Sequence, residues 1–438
     1  MLFSLPALVF AQAIKVEVKK TSIGFELYRG GEPYYIKGVG GKGHVDEMLY
    51  LGANSIRTWG IDEADEALAT AEKYGLTVML GLWVQHERHG FDYNDEAAVQ
   101  KQLEHFTEVV KKYKDHPNLL LWGVGNEVDL FYTNTKVWDA IQDICAMIHE
   151  LDPNHPTSTV TAGLDSNEVQ EVLKRAPDID IYGFNTYGDI EMHSNNIRKF
   201  GWNGPYIISE WGPNGHWEVE KTAWNAPIEQ TSTEKAASYK YRYQSFIEAK
   251  KGECIGSYVF LWGQKQETTS TWYGLFTADG NPTEPLDYLY VAWNGKQPPN
   301  RAPSVSRIKL DGKEGNQSIY LTAGNKYEAF IEAKDPDGDK IKIEWLVYPE
   351  SQNAKAGGDF ESALQPVLGL LKHRKSENVV MVAPDEEGPY RLFVFVTDKG
   401  KRTAYANIPF YVKPRSADDP PAKSIQLKKQ TLDVNRGI

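Results

Sequence analysis

The sequence predicts a (β/α)8 barrel followed by a C-terminal immunoglobulin-like β-sandwich, an α/β fold with a second, all-β domain. Two observations predict the barrel: short apolar runs alternate with helical segments from Tyr35 to Trp293, and two of these runs end in glutamate. A third predicts the sandwich, because apolar residues recur with a period of two after a proline-rich stretch. A chain of 438 residues is long enough for both domains.

The two glutamates follow the same kind of apolar run. Leu119 to Asp129 reads Leu-Leu-Leu-Trp-Gly-Val-Gly-Asn-Glu-Val-Asp, which is typical of a buried parallel strand that ends in polar side chains, here Asn126 and Glu127. Tyr206 to Pro213 repeats this pattern around Glu210, 83 positions later. Because (β/α)8 barrels carry catalytic groups at such strand ends, we expect both carboxylates at the mouth of the barrel.

Eight strand and helix pairs are predicted along the chain. A hairpin over Ile14–Tyr35, with its turn at Arg29–Glu32, is expected to cover the bottom of the barrel. The predicted strands are Tyr35–Gly40, Asn54–Trp59, Thr77–Trp83, Leu119–Glu127, Thr157–Thr161, Ile179–Asn185, the run around Glu210, and Ile255–Trp262. The predicted helices are Val45–Leu51, Glu63–Tyr74, Asp95–Asp115, Val137–Leu151, Asn167–Arg175, a short one near Asn195, Ser232–Lys251 and Leu286–Trp293.

The two ends of the chain differ in composition from the middle. Leu2 to Phe10 is apolar and precedes Ala11-Gln12-Ala13, a pattern typical of a signal peptide, although a plain first strand is the alternative. We therefore expect a secreted or periplasmic bacterial protein. The predicted organisation is a signal peptide over 1–13, a catalytic barrel over 14–296, a linker over 297–303, an immunoglobulin-like domain over 304–414 and a disordered tail over 415–438.

Composition restricts the kind of partner. The formal net charge of −12 disfavours nucleic acid, whose phosphates such a surface repels. Twelve Trp and 24 Tyr suit sugar rings, which stack on aromatic faces. No cofactor and no metal are expected, since His86 and His89 are three positions apart and not four as in a zinc-protease helix. Neither a membrane span nor an oligomer is indicated.

Two carboxylates at one barrel mouth are the groups that cleavage of a glycosidic bond requires. One must be ionised to attack or stabilise the anomeric carbon, and the other must be protonated to donate to the leaving oxygen. Their repulsion helps to separate the two pKa values. Either glutamate alone has another explanation, because strand-end carboxylates also bind loop backbone.

At these residues the chain resembles the clan of retaining (β/α)8 glycosidases, whose acid/base follows strand 4 in an Asn-Glu pair and whose nucleophile follows strand 7. The resemblance implies that Glu127 is the acid/base and Glu210 the nucleophile. It also implies roles in substrate or nucleophile binding for Arg57 on strand 2, Asn126, Tyr187 after strand 6, and Trp262 as a platform under the sugar. The alternatives are respectively a barrel ion pair, a turn former, a rim residue and core packing.

Within the clan, the architecture looks most like glycoside hydrolase family 158, whose members are endo-β-1,3-glucanases that act on laminarin. Family 2 β-glycosidases are the next nearest, since they share the barrel motifs but usually carry sandwich domains before the barrel. We thus expect internal cleavage of β-1,3-glucan. The alternatives are another β-linked glycan, a transglycosylase, and a non-catalytic glycan-binding protein.

Aromatic and polar residues in the loops after strands 3 and 7 are candidates for a sugar-binding wall. They are Trp83, His86, Trp211 and Trp217. A wall of this kind favours action on several sugar rings, and packing of a lid is the alternative. The predicted immunoglobulin-like domain shows no ridge of stacked aromatics, so a spacer or a brace is expected in preference to a binding module.

Overall fold

The computed structural model describes residues 12–352, 354–355 and 357–416. The predicted signal peptide, apart from residues 12 and 13, and the predicted tail from 417 onward lie outside these residues. Among the helices that the structure describes, none is long and apolar enough to cross a membrane.

A three-stranded antiparallel sheet precedes the barrel. Its strands are β1 (Val16–Thr21), β2 (Gly24–Arg29) and β3 (Glu32–Tyr34). The predicted single hairpin was wrong by one strand, because a second turn at 22–23 divides its first half. Val16 and Leu27 are buried with residues of the barrel strands, so this sheet covers the barrel as expected.

Eight parallel strands close into a barrel in which each strand pairs with the next along the chain. They are β4 (Ile36–Gly41), β5 (Ser55–Arg57), β6 (Thr77–Leu82), β7 (Leu119–Val124), β8 (Thr157–Ala162), β9 (Ile181–Asn185), β10 (Tyr206–Trp211) and β11 (Cys254–Trp262). The α-helices that alternate with them along the chain are α1 (Val45–Leu51), α2 (Ala64–Tyr74), α3 (Glu96–Tyr113), α4 (Lys136–Leu151), α5 (Ser166–Arg175), α6 (Ile190–Asn196), α7 (Ser232–Arg242) and α8 (Pro285–Asn294). The predicted fold class is confirmed.

Two predicted elements, one strand and one helix, end earlier in the structure than predicted. Strand β7 stops at Val124, because Gly125 at φ 78° and Glu127 at φ 51° are left-handed and cannot continue a strand. Helix α7 gives way at Tyr243–Ile247 to a π turn and then to a short 3-10 turn at Glu248–Lys250. The π turn buries three apolar side chains, those of Tyr243, Phe246 and Ile247.

The C-terminal strands form two four-stranded sheets around one core, as in a β-sandwich. One sheet has the order β13 (Lys309–Leu310), β15 (Lys326–Phe330), β19 (Asn378–Val382), β18 (Leu371–Lys372), and the other β14 (Tyr320–Thr322), β21 (Thr403–Lys413), β20 (Gly388–Thr397), β17 (Lys342–Pro349). A two-stranded ribbon joins β12 (Ser304–Val305) to β16 (Ala333–Lys334). The period-two pattern is clearest in β17, whose Ile343, Trp345 and Val347 all enter the core.

The chain divides into two compact units. The first contains the residues up to 212 together with 241–262, and the second contains 213–240 and everything from 263 onward. The segments that follow strands β10 and β11 therefore belong with the sandwich. This division differs from the predicted boundary at 296, because periodicity along a sequence does not reveal which distant strand a loop packs on.

A buried ion pair lies inside the second unit. Lys235 Nζ is 2.5 Å from Glu229 Oε1 and also donates to the carbonyl oxygens of Thr271 and Trp272 and to the hydroxyl of Tyr405. Glu229 Oε2 accepts from Asn407 Nδ2 at 2.6 Å. Both charged side chains are almost fully buried. The pair thus joins the segment after β10 to the segment after β11 and to strand β21.

Candidate active site

The candidate site lies at the carboxyl ends of four barrel strands. Arg57 ends β5, Asn126 and Glu127 follow β7, Asn185 ends β9, and Glu210 lies on β10. In a parallel barrel these ends meet at one face, where such folds carry catalytic groups. The structure therefore brings together the two glutamates that the sequence singled out, within one hydrogen-bonded network.

Glu210 is surrounded by hydrogen-bond donors. Its Oε1 accepts from Arg57 Nη1 at 2.8 Å and from Trp59 Nε1 at 2.7 Å, while its Oε2 accepts from the Tyr187 hydroxyl at 3.0 Å. The residue is 5% exposed. An ionised carboxylate can only accept hydrogen bonds, so it matches these three donors, one of which is a buried guanidinium. Glu210 is thus held as an oriented anion.

Glu127 has a different environment. Its Oε1 accepts from Asn185 Nδ2 at 2.8 Å, and its backbone N–H donates to the carbonyl oxygen of Val160 on β8 at 2.8 Å. Burial, and then the negative charge of Glu210, raise the pKa of Glu127 to about 8. The carboxyl group is therefore protonated at neutral pH, next to a second carboxylate.

Arg57 and Asn126 connect the two glutamates. The guanidinium of Arg57 donates to Glu210, to the backbone oxygen of Ser209 at 2.8 Å, and to Asn126 Oδ1 at 2.7 Å. Asn126 Oδ1 also accepts from Asn185 Nδ2 at 3.2 Å. Because the amide oxygen of Asn126 accepts both of these hydrogen bonds, its amide nitrogen is the group that can donate to a ligand. The contacts of Arg57 include the barrel ion pair that was its alternative explanation, and they extend beyond it to Ser209 and Asn126.

Two residues of the network were missed by sequence reasoning. Trp59 binds the same oxygen of Glu210 as Arg57, and its ring forms a T-shaped contact with that of Phe260, with the ring centroids 5.8 Å apart. Asn185 binds Glu127, and its own oxygen accepts from Ser209 Oγ at 2.9 Å. The sequence could have indicated Trp59 as a site residue, because it lies two positions after Arg57 and alternate strand residues share one face. The indication for Asn185 was weaker, namely that it is the last residue of its strand.

The aromatic candidates differ in placement. Trp262 is 1% exposed and donates to the Gly43 oxygen at 2.9 Å, and Trp211 is fully buried and donates to Ser257 Oγ at 3.1 Å. Trp211 is therefore a core residue in this structure and does not form an open wall. Trp83 is half-buried and stacks on the buried His86 ring at 4.7 Å. Trp217 belongs to the second unit, where 54% of it is exposed.

Within the described residues, no group of three or more His, Cys, Asp or Glu side chains is arranged to hold a metal ion. The two carboxyl groups of the network carry the chemistry that this arrangement supports. One is ionised and oriented by three donors, and the other is protonated and half-buried beside it. That pairing suits attack at one atom combined with proton donation to a neighbouring atom.

Fold and site together define a (β/α)8 barrel with two carboxyl groups after its fourth and seventh strands. Residues 44–289 match the model of the family described as glycosyl hydrolases family 2, TIM barrel domain, and the chain belongs to this family. The predicted resemblance to (β/α)8 glycoside hydrolases is thereby confirmed. The family that matches is family 2, which was predicted as the next nearest after family 158. The narrower assignment to family 158 finds no support among these matches and stays a prediction.

Curated relatives include enzymes named Beta-glucuronidase. The dog protein is 28% identical over 178 residues, which cover 36% of this chain and 25% of the relative. The Paenibacillus borealis protein is 25% identical over 242 residues, covering 46% of this chain and 38% of the relative. The chain therefore spans between a quarter and two fifths of these two relatives.

Among solved structures, the β-glucuronidase of Ruminococcus gnavus superposes with a TM-score of 0.51 at 15% identity. The match covers 65% of this chain and 53% of that structure. At this identity the likeness concerns the fold alone.

Proposed function

We propose that this protein hydrolyses β-glycosidic bonds with retention of anomeric configuration. Glu210 attacks the anomeric carbon while Glu127 gives its proton to the leaving oxygen. The observation that carries the proposal is the opposite environment of the two carboxyl groups: three donors surround Glu210, while burial and a neighbouring charge keep Glu127 protonated. Proton NMR of the first sugar released tests it, since retention gives the β-anomer and inversion would overturn the proposal.

The second half of the reaction follows from the same contacts. Once Glu210 is esterified to the sugar it has lost its charge, and one cause of the raised pKa of Glu127 is removed. Glu127, already deprotonated by the first step, then acts as the base that activates water. Tyr187 and Trp59 keep the Glu210 side chain in place throughout, because each binds one of its oxygens.

Hydrolysis is expected to decline at alkaline pH. The acid form of Glu127 disappears as pH rises through about 8, so its loss alone should lower kcat/KM for a substrate with a sugar leaving group by about tenfold for each pH unit well above this value. A steady-state pH profile checks this. A dinitrophenyl glycoside is the control, because such a leaving group departs without a proton and its alkaline decline should be much smaller.

We propose a β-linked glycan as substrate, and two observations guide the choice of test compounds. The relatives named Beta-glucuronidase make a β-glucuronide the first candidate. The guanidinium of Arg57, however, already donates to Ser209, Glu210 and Asn126, so a uronate carboxylate would need a different cation. Neutral β-linked sugars need none, and the predicted β-1,3-glucan belongs to this class.

A substrate panel assigns the sugar. Nitrophenyl β-glucuronide, β-glucoside, β-galactoside and β-mannoside are compared with laminarin, cellulose, mannan and galactan, and the products are resolved over time by chromatography. Oligosaccharides of decreasing length from laminarin alone would support an endo-β-1,3-glucanase. Release from the glucuronide alone would replace that prediction with uronide hydrolysis. The absence of hydrolysis of every β-linked compound in the panel would overturn the proposed function.

A further inference from the structure

Behind Glu127 lies a second pair of carboxyl groups, which the reaction as described does not use. Asp129 follows Glu127 by two positions and is 5% exposed. Both of its oxygens accept from the backbone N–H of Ala162, at 3.1 and 2.9 Å. Since Glu127 donates its own N–H to Val160, the turn that carries Glu127 is attached to strand β8 at two points.

The other member of the pair is Glu168, in the first turn of helix α5. Its side chain hydrogen-bonds to that of Asp129. Two ionised carboxylates have acceptors only, so a hydrogen bond between them requires one proton. Burial, followed by the charge of Asp165, raises the pKa of Glu168 to about 7, and burial with the charge of Glu168 raises that of Asp129 well above its usual range. The pair therefore retains a proton near neutrality.

The charged and titratable groups around this turn are few. Glu127 faces Glu210, Asp129 and Arg57, and Asp129 faces Glu168, with Asp165 next to Glu168. Tyr132 on the same loop and Tyr182 on β9 also experience the charges of Asp129 and Glu168. The negative charge of Asp129 acts on Glu127 in the same direction as that of Glu210. Loss of the shared proton would place two charges in contact and push Asp129 away from Glu168.

We propose that Asp129 and Glu168 share one proton in a carboxyl–carboxylate hydrogen bond and that this pair positions the turn that carries Glu127. The proposal rests on the proposed role of Glu127 as acid/base. Asp129 and Glu168 are positioning residues, because they act through the turn and do not touch the reacting atoms. Alkaline pH then affects catalysis twice, by ionising Glu127 and by breaking the pair behind it.

Three variants test the pair. Asp129→Ala should lower kcat at least tenfold at pH 6.5–7 with KM within twofold. Asp129→Asn keeps an acceptor for Ala162 and offers an amide donor to Glu168, so it should restore kcat to within about threefold of the parent. In Glu168→Gln the amide replaces the shared proton permanently. Its alkaline limb should follow a single ionisation, whereas the limb of the parent should be steeper.

Asp165→Ala is the matched control. Asp165 caps helix α5 through the N–H groups of Asn167 and Glu168, so its loss destabilises the same helix without removing the carboxyl pair. The control should keep the steep alkaline limb of the parent, moved to lower pH because one charge that raises the pKa of Glu168 is gone. Identical alkaline limbs in the parent and Glu168→Gln, or full kcat in Asp129→Ala, would overturn the proposal.

A readout that needs no turnover separates this proposal from the proposed function. Carbon-13 NMR of labelled Asp and Glu carboxyl groups in the full chain should show Asp129 and Glu168 releasing one proton near or above neutrality. In Glu168→Gln, Asp129 should titrate at lower pH than in the parent. If both groups are fully ionised at pH 6 the pair does not exist, whatever the protein hydrolyses. If the proton is present and no β-glycoside is cleaved, the proposed function alone fails.

Discussion

Glu210→Gln is expected to lower kcat by at least about 10⁴-fold, with little change in KM. Glutamine has nearly the same shape as glutamate, and its amide oxygen can still accept from Arg57 Nη1 and Trp59 Nε1, the donors at 2.8 and 2.7 Å in the parent. It cannot attack the anomeric carbon, so no covalent intermediate forms. Single-turnover and steady-state assays on a nitrophenyl glycoside measure the loss.

Two companion variants make that loss specific to the nucleophile. In Glu210→Ala the removed carboxylate leaves space, and added azide should restore turnover by forming a glycosyl azide of inverted configuration. Glu127→Gln should lose hydrolysis of sugar leaving groups about 10²- to 10⁴-fold, yet still form the intermediate from a dinitrophenyl glycoside. Hydrolysis by Glu210→Gln at the parent rate would remove Glu210 from the mechanism, and absence of azide rescue would argue against a simple loss of the nucleophile.

Lys235→Met should lower the free energy of unfolding by about 3–5 kcal/mol. The methionine fills a similar volume but leaves the buried Glu229 without its cation, and the oxygens of Thr271 and Trp272 lose a donor. The double variant Lys235→Met with Glu229→Gln should recover part of this loss, because the orphaned charge is gone. Urea unfolding followed by tryptophan fluorescence provides the measurement.

Arg307→Met is the matched control for a salt bridge in the same unit. Arg307 Nε lies 2.6 Å from Glu234 Oε1, but both side chains are substantially exposed. Solvent screens such a pair, so its removal should cost at most about 1 kcal/mol. A loss for Lys235→Met no larger than that of the control would show that the buried pair does not hold the three segments together.

Much of this architecture could be predicted from the sequence, for physical reasons. A buried parallel strand must be apolar along its length, so runs such as Leu119–Trp122 are visible without any partner. The carboxyl ends of barrel strands meet at one face, and this alone brought Glu127 and Glu210 together. Arg57, Asn126 and Tyr187 were predicted by the family resemblance, and the structure places each in the hydrogen-bonded network.

What the sequence did not reveal depends on contacts between distant segments. The end of β7 was misplaced because the prediction extended the strand to Glu127, whereas the left-handed backbone at Gly125 and Glu127 ends it at Val124. Asn185 and Glu168 look like ordinary polar residues until the folded barrel sets them beside Glu127 and Asp129. Trp211 was predicted to belong to a sugar-binding wall, yet its ring is fully buried.

The ion pair between Lys235 and Glu229 limits how this chain can be recombined. Both residues are encoded within the barrel half of the sequence, but Tyr405 and Asn407, which complete their hydrogen bonds, are encoded in the sandwich half. A crossover near residue 300 that joined this barrel to a sandwich from a relative would leave the buried ion pair without these two hydrogen-bond partners unless both of those side chains came with it. The two halves must therefore be inherited together, or change in matched steps.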